Sequence, residues 1–339
     1  MAVVRNKQYV TTLTLTFTLV TVVYIYAVKI SWASVATEWN LFMNRAKQFT
    51  DRSSEVPATL ALMSAANVIL PSTFDYRSET FDCKTASLMN MTFPICHYAL
   101  QNDDTVSAYL LLGKYFEADE VSRFLRLLRG DGRLQLVDIG ANVGLYSLPA
   151  ARLTNVIAVE PNWRSMARLV KAVHLGGVVS NITLVHNAIS NVRTTLSMGV
   201  HPTNQGNAFL INTTKCKVTP NHLPCLTLAP TRTIHLNDLL PLMRSKSALM
   251  KVDVEGHEVN IFTDATAGQF FDQIDVPLVF MEWTLCKRHS TNIVQRLLNF
   301  FYSRNYTVMN VDSSKLENNY DNWPENVLFK KWTNTYLHF

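Results

Sequence analysis

The stretch LQLVDIGANVGLYS, Leu134 to Ser147, constrains the fold of this chain more than any other. An apolar strand ending in Asp138 runs into a loop carrying Gly140 and Gly144, and a helix follows. Such a unit holds a nucleotide-like cofactor at the carboxyl edge of a parallel sheet. At 339 residues and 48% hydrophobic, the chain can bury one core of about 250 residues and still carry accessory segments.

Around this unit strands and helices alternate, which predicts a parallel sheet covered on both faces. Apolar residues at helical spacing predict a helix from Ser107 to Leu128, stopped by Gly130-Asp131-Gly132. Strands are expected over Asn155–Glu160, Ile182–His186, Leu249–Val254 and Val276–Glu282, with a helix over Arg164–Leu175. Thr194 to Leu210 reads as a hairpin turning around His201-Pro-Thr-Asn-Gln-Gly-Asn207. Tyr306–Val311 and Val327–Trp332 read as a closing antiparallel pair.

A nicotinamide fingerprint needs a glycine at the middle position of its loop, so that the backbone can touch a pyrophosphate. Asn142 stands there instead. The acidic strand ends Asp138 and Glu160 suit a cofactor with a cationic amino-acid end and a ribose diol. Glu160, about 20 residues past the loop, is placed to accept hydrogen bonds from both ribose hydroxyls. S-adenosylmethionine meets that description, and NAD stays open as the alternative because acid-ended strands of this kind serve both.

VDIGANVGLYS, VIAVEPN, the NQGN turn and LMKVDVEGHE follow one another as do the motifs of the FkbM family of S-adenosylmethionine-dependent methyltransferases. The chain resembles that family from about Asp104 to Trp332. The resemblance implies a class I methyltransferase fold, an α/β Rossmann-like seven-stranded sheet with helices on both faces. It also implies O-methylation, often of sugar or polyketide hydroxyls. By resemblance Asp138, Gly140, Asn142 and Gly144 carry over to the methionine end of the cofactor, Glu160 to the ribose, and Asn187 to the neighbourhood of the adenine.

Asp253-Val-Glu255-Gly-His257-Glu258 is the expected catalytic segment. Alternation places Asp253 and Glu255 on one side of a strand end, and Gly256 permits a tight turn into the next helix. A methyl group on a sulfonium leaves by in-line displacement, so the protein must chiefly align it with the acceptor oxygen and exclude water. A sugar hydroxyl is too weak an acid to ionise first, and a base removing its proton would help by about 10²–10⁴-fold. His257 suits that role by its ordinary titration range, and a carboxylate of the group is the alternative. The bland reading leaves Asp253 to the cofactor, Glu258 to the helix amino terminus and His257 to solvent. Glu282 and Trp283, at the end of a strand, are expected to meet substrate, the ring by stacking on a sugar; packing of Trp283 in the core is the alternative. His201 and Tyr146 are further pocket candidates. Oxygen ligands of this kind serve Mg²⁺, but no spacing demands a divalent metal.

From Gln8 to Val28 no charge occurs, long enough for a helix to cross the ~30 Å hydrocarbon core. A cleaved signal peptide is the alternative, with Ala33 and Ala36 as small cleavage-site residues. Arg5 and Lys7 before the segment, against Lys29 behind it, leave residues 1–7 cytosolic and export the rest. Sequons at Asn90, Asn181, Asn212 and Asn305 fit export. So do two local cysteine pairs, Cys83 with Cys96 and Cys216 with Cys225, read as disulfides with structural zinc as the alternative. Residues 29–78 read as a stem. Its heptad seam, Trp32, Val35, Trp39, Phe42, Ala46 and Phe49, could pair two copies, and residues 79–339 form the luminal catalytic domain. A net charge of +5 without basic runs gives no nucleic-acid footprint. The expectation is a single-pass type II protein of the Golgi or endoplasmic reticulum membrane that methylates glycan hydroxyls. The rivals are a luminal glycosyltransferase, which would normally show an Asp-x-Asp metal site, and a non-catalytic binding protein that kept the fold.

Overall fold

Strands that read as unbroken apolar runs need cover on both faces, and the computed structural model provides it. It describes residues 66–70, 81–100, 105–201, 204–211, 226–263, 265–317 and 319–332. The expected membrane helix at 8–28, nearly all of the stem and the sequon at Asn212 lie outside the described residues. The second expected disulfide falls there too: Cys216 lies outside the described residues, and so does Cys225. Among the described residues the disulfide is Cys83–Cys96 alone, so the expected bond between Cys216 and Cys225 is not part of the structure described. Among the described residues no helix is long and apolar enough to cross a membrane.

In chain order the main sheet takes β1 (Val68–Ile69), β4 (Leu134–Ile139), β5 (Val156–Val159), β6 (Ile182–Val185), β11 (Ser247–Val252), β12 (Asp275–Glu282), β13 (Tyr306–Asn310) and β14 (Asn326–Lys331). Their spatial order is β1-β6-β5-β4-β11-β12-β14-β13. β6, β5, β4, β11 and β12 run parallel, while β14 enters antiparallel to both β12 and β13. Leaving β1 aside, this is the class I methyltransferase arrangement that the sequence reading expected. The expected seven strands become eight because Val68–Ile69, assigned to the stem by sequence, pairs antiparallel with β6. Two residues are too few to carry a pattern of their own.

Side chains alternate across the sheet. Leu134, Leu136, Ala158, Leu184 and Leu249 face one core, and Val137, Ile139, Ile157, Val159 and Met250 the other. The first core is covered by α2 (Ala118–Gly130), α3 (Ser147–Ala150) and α4 (Trp163–Gly176). The second is covered by α5 (Glu258–Ile261), α6 (Ala265–Gln273) and α7 (Thr291–Tyr302). In α4 the buried Met166, Leu169, Val170 and Val173 make one stripe, each worth roughly 1.5–3 kcal/mol of apolar burial. Asn162 caps its start by accepting from the Arg164 N–H, and Gly177 closes it at φ +66°.

The single helix expected over Ser107–Leu128 is two, α1 (Val106–Leu111) and α2, because Gly113 and Glu117 take left-handed conformations between them. A hairpin of β2 (Cys83–Leu88) and β3 (Met91–Cys96) is closed by the Cys83–Cys96 disulfide, as the spacing suggested. A second sheet, ordered β7-β10-β8-β9, is built from β7 (Ala188–Ile189), β8 (Thr195–His201), β9 (Asn204–Ile211) and β10 (Leu226–Ile234). β8 ends at His201 and β9 begins at Asn204, so the NQGN segment opens a strand instead of making the turn. Asn90 and Asn305 are exposed at positive φ, whereas the Asn181 amide is engaged, donating to the Ala151 carbonyl at 2.9 Å.

Candidate functional site

The chain leaves β4 to build β5 and β6 on one side and later returns to place β11 on the other. The sheet therefore opens between the carboxyl ends of β4 and β11, the usual place for a ligand in such a fold. There the two strand ends are in close contact. Asp253 N–H donates to the Ile139 carbonyl at 3.0 Å, and a Cβ on Gly140, at φ +86°, would be driven into the Asp253 carbonyl oxygen. Only glycine fits. Asn142 takes φ +49°, which asparagine tolerates better than most residues. Its N–H donates to Glu160 Oε2 at 2.8 Å, and its Oδ1 accepts from Ser165 Oγ at 3.1 Å.

Glu160 Oε1 accepts from the Asn162 N–H at 2.7 Å. Each carboxylate oxygen is thus used once and retains accepting capacity toward the cleft. Burial pushes its carboxyl up to about 7, against the pull of the Asn162 and Asn142 N–H groups.

Two expected contacts are corrected at this end. Asp138 is fully buried behind the loop, where Oδ2 accepts from Ser147 Oγ at 2.6 Å, and it does not line the cleft. Gly144 packs under the loop against Leu148 and Leu169, so it shapes the turn without facing a ligand. Asn187 lines the cleft, but its side chain is committed: Oδ1 accepts from the Asn67 N–H at 2.6 Å and Nδ2 donates to the Arg232 carbonyl at 3.1 Å.

At the other end, β11 stops at Val252 and the chain turns through Glu255 (φ +57°) and Gly256 (φ +90°) into α5. Asp253, Glu255 and His257 all line the cleft, as does Glu160. Burial raises Glu255, and Asp253 and Glu282 reinforce it; burial likewise raises Glu282, with Asp253 and Glu258 adding to it. His257 is a poor base as placed. With the Asn260 amide donating to Nδ1 at 2.9 Å, Nε2 carries the proton and reaches Ser190 Oγ at 3.0 Å. Burial and then His289 pull its pKa down to about 4.

Glu258 has no exposed surface. Oε1 accepts from the Val254 N–H at 2.8 Å and Oε2 lies 3.7 Å from Cys286 Sγ, so it fastens the turn below the cleft. Asp253, Glu258 and Glu282 bring carboxylate oxygens within 4.8 Å of one another. Hard cations use such oxygens, but Glu258 is already committed to the backbone. Glu282, expected to meet substrate, stands beside Asp253 without lining the cleft itself. Trp283, expected to stack on substrate, is wholly buried against Trp323 and Phe329, with Nε1 donating to the Tyr320 carbonyl. His201 is exposed at the end of β8 and takes no part in the cleft.

The remaining wall comes from the second sheet, which presents Met198, Gly206, Ala208 and Leu210. β9 is tied to the start of α4, where Arg164 Nη1 donates to Gln205 Oε1 and Asn162 Nδ2 to the Gln205 carbonyl, at 3.1 and 3.3 Å. The cleft encloses about 50 Å³ and opens to solvent, so a nucleoside-sized ligand would extend from it into the open mouth.

Two charged residues at the site went unassigned by sequence. Lys251, on β11, is buried with Nζ 3.1 Å from both the Gly140 carbonyl and Asp253 Oδ2. Glu117, at φ +53° before α2, accepts from the Tyr146 hydroxyl at 2.9 Å. A lysine inside the apolar strand LMKV was the available signal, since lysine is almost never fully buried unless paired.

The family model for the FkbM methyltransferase domain matches residues 138–308, just over half of the chain. Among solved structures, the chain is similar to a methyltransferase FkbM from Methylobacillus flagellatus KT at 13% identity and TM-score 0.37, over 58% of this chain and 43% of that one. It is similar to a SAM-dependent O-methyltransferase from Thermotoga maritima at 10% identity and TM-score 0.33, over 75% and 79%. A precorrin-6y C5,15-methyltransferase from Geobacter metallireducens GS-15 gives 14% and 0.31, over 56% and 72%. The fold follows from the strand order, not from these likenesses. No curated protein matches the sequence.

Proposed function

The chain belongs to the FkbM methyltransferase family, and from that premise we propose that it is an O-methyltransferase using S-adenosylmethionine, with a glycan hydroxyl in the secretory pathway as acceptor. The observation that carries the donor half is the convergence of Gly140, Asn142 and Glu160 with Asp253 and Glu255 on one cleft at the switch point of the sheet. These residues fit the donor. Gly140 lets the loop close against Asp253 where any side chain would clash, Glu160 has oxygens to accept from a diol, and Asp253 offers a carboxylate to an ammonium.

When bound, the donor supplies a methyl group activated by its sulfonium. Met198, Ala208 and Leu210 give that site an apolar wall, which helps to exclude water. Because His257 holds its bare nitrogen against Asn260, Glu258 is sealed from the cleft and Asp253 meets the donor's ammonium, Glu255 is the group left to take the acceptor's proton. For Glu255 this requires ionisation, which its burial and then its acidic neighbours oppose.

The apolar segment at 8–28, the exposed sequons at Asn90 and Asn305 and the Cys83–Cys96 disulfide support export, and with export a glycan acceptor. The test is to incubate the detergent-purified full chain with S-adenosylmethionine bearing a labelled methyl group and with glycoprotein glycans, then read mass spectra of released sugars. A gain of one methyl on a sugar oxygen is expected. Transfer to nitrogen, or sugar transfer from a nucleotide sugar, would contradict the reading.

A further inference from the structure

Lys251 departs from its strand neighbours in being charged, and its 5% exposure leaves it almost no water. A buried ammonium costs several kcal/mol unless its donors are met, and an apolar residue of similar volume is often as stable or more so. Packing alone therefore gives no reason for a lysine here. Its donors reach groups on different elements: the Gly140 carbonyl in the loop after β4 at 3.1 Å, Asp253 Oδ2 past the end of β11 at 3.1 Å, and Asp138 Oδ1 within β4 at 3.9 Å. The Tyr146 ring lies 5.3 Å away. Glu117 from the turn before α2, Glu255 from the turn after β11 and Glu282 from β12 face the same charge.

We infer that Lys251 is a positioning residue for the transfer, one that holds the glycine loop and the Asp253 carboxylate in a fixed relation so that the donor's amino-acid end is received against both. This rests on the reading of the cleft as the S-adenosylmethionine site. The ammonium grips Oδ2 of Asp253, which leaves Oδ1 for a ligand, and the same ammonium grips the loop carbonyl that faces Asp253 across the switch point. One side chain thus fixes both groups. Lys251 acts through Asp253 and Gly140, since it does not itself line the cleft.

The test uses the full chain in detergent and S-adenosylhomocysteine as the probe, with affinity read by isothermal titration. Lys251→Met should weaken binding about tenfold or more, the scale of a lost charged hydrogen bond. Lys251→Arg, which keeps charge and donors, should recover most of that loss. Lys251→Met combined with Asp253→Asn should bind less weakly than the sum of the two separate losses requires, because the contact between the two side chains is lost in either change while the grip on the Gly140 carbonyl is lost only with the lysine. If a folded Lys251→Met binds as the wild type does, or if the two losses simply add, the inference fails. Should Lys251→Met not fold, Lys251→Gln takes its place, and failure of both to fold would show a purely structural lysine and overturn the inference. Failure of the wild type to bind the probe is a different result, which refutes the donor-site reading itself.

Discussion

At the scale of single residues, the site depends on carboxyl groups held where water is scarce. Glu160 and Glu258 are both raised to about 7 by burial. A carboxyl raised on folding contributes stability that is full below the unfolded value of about 4.5 and is lost as pH climbs through 7. His186 and His257 are lowered to about 4, chiefly by burial. Their contribution is full above about 6.5 and is lost as pH falls toward 4. The two slopes oppose each other in one window, so melting temperature is a blunt readout there. Donor affinity is sharper, because an ionised Glu160 accepts hydroxyl hydrogen bonds more strongly than a protonated one. Affinity for S-adenosylhomocysteine is expected to rise about tenfold from pH 6 to pH 8 as the competent fraction grows. A flat titration series across that range would contradict the role given to Glu160.

The sequence exposed these residues unevenly. Gly140, Asn142, Glu160, Asp253 and Glu255 were legible because a glycine loop and acidic strand ends are local patterns, and all five line the cleft. Asp138 looked equivalent to Glu160 from its strand-end position, yet it points behind the loop to Ser147. Which way a side chain points at a strand end depends on neighbours distant in the chain. Lys251 was overlooked for the same reason: its partners Gly140 and Asp138 are more than a hundred residues away.

At the scale of elements, the parallel strands were legible from their apolar runs, and Tyr306–Val311 and Val327–Trp332, expected as a closing antiparallel pair, fall on β13 and β14 to within a residue at either end. β10 carried no such pattern, since its first residues are exposed or half-buried on a small accessory sheet. The break between α1 and α2 escaped notice because apolar spacing continued across it while Gly113 and Glu117 turned the backbone. The β2–β3 hairpin shows what a local covalent link contributes. It packs Phe93 and Ile95 into the first core, and Pro94 lies against Gly176 at the end of α4. Its disulfide spans 13 residues, for which loop-closure entropy gives about 3 kcal/mol. Replacing Cys83 and Cys96 together by serine should lower unfolding free energy by up to that amount in urea titrations, with donor affinity retained in the folded fraction. An unchanged urea midpoint would show that packing alone holds the hairpin.

At the scale of the whole molecule, one topological fact organises the rest. The chain lays β5 and β6 to one side of β4 and β11 and β12 to the other, so the crevice at the switch point of the sheet opens beside the glycine loop. The second sheet then walls that gap, and its β9 is fastened to α4 through Gln205. Two core layers on opposite faces hold the strand ends in register, and the acid-lined cleft follows from where those strands stop. The account stands or falls on what occupies this gap. Crystals of the protein grown with S-adenosylhomocysteine should show the homocysteine end on the Asp253 carboxylate beside the glycine loop and both ribose hydroxyls on Glu160. Density for that ligand elsewhere, or a nucleotide sugar filling the gap in its place, would contradict the account.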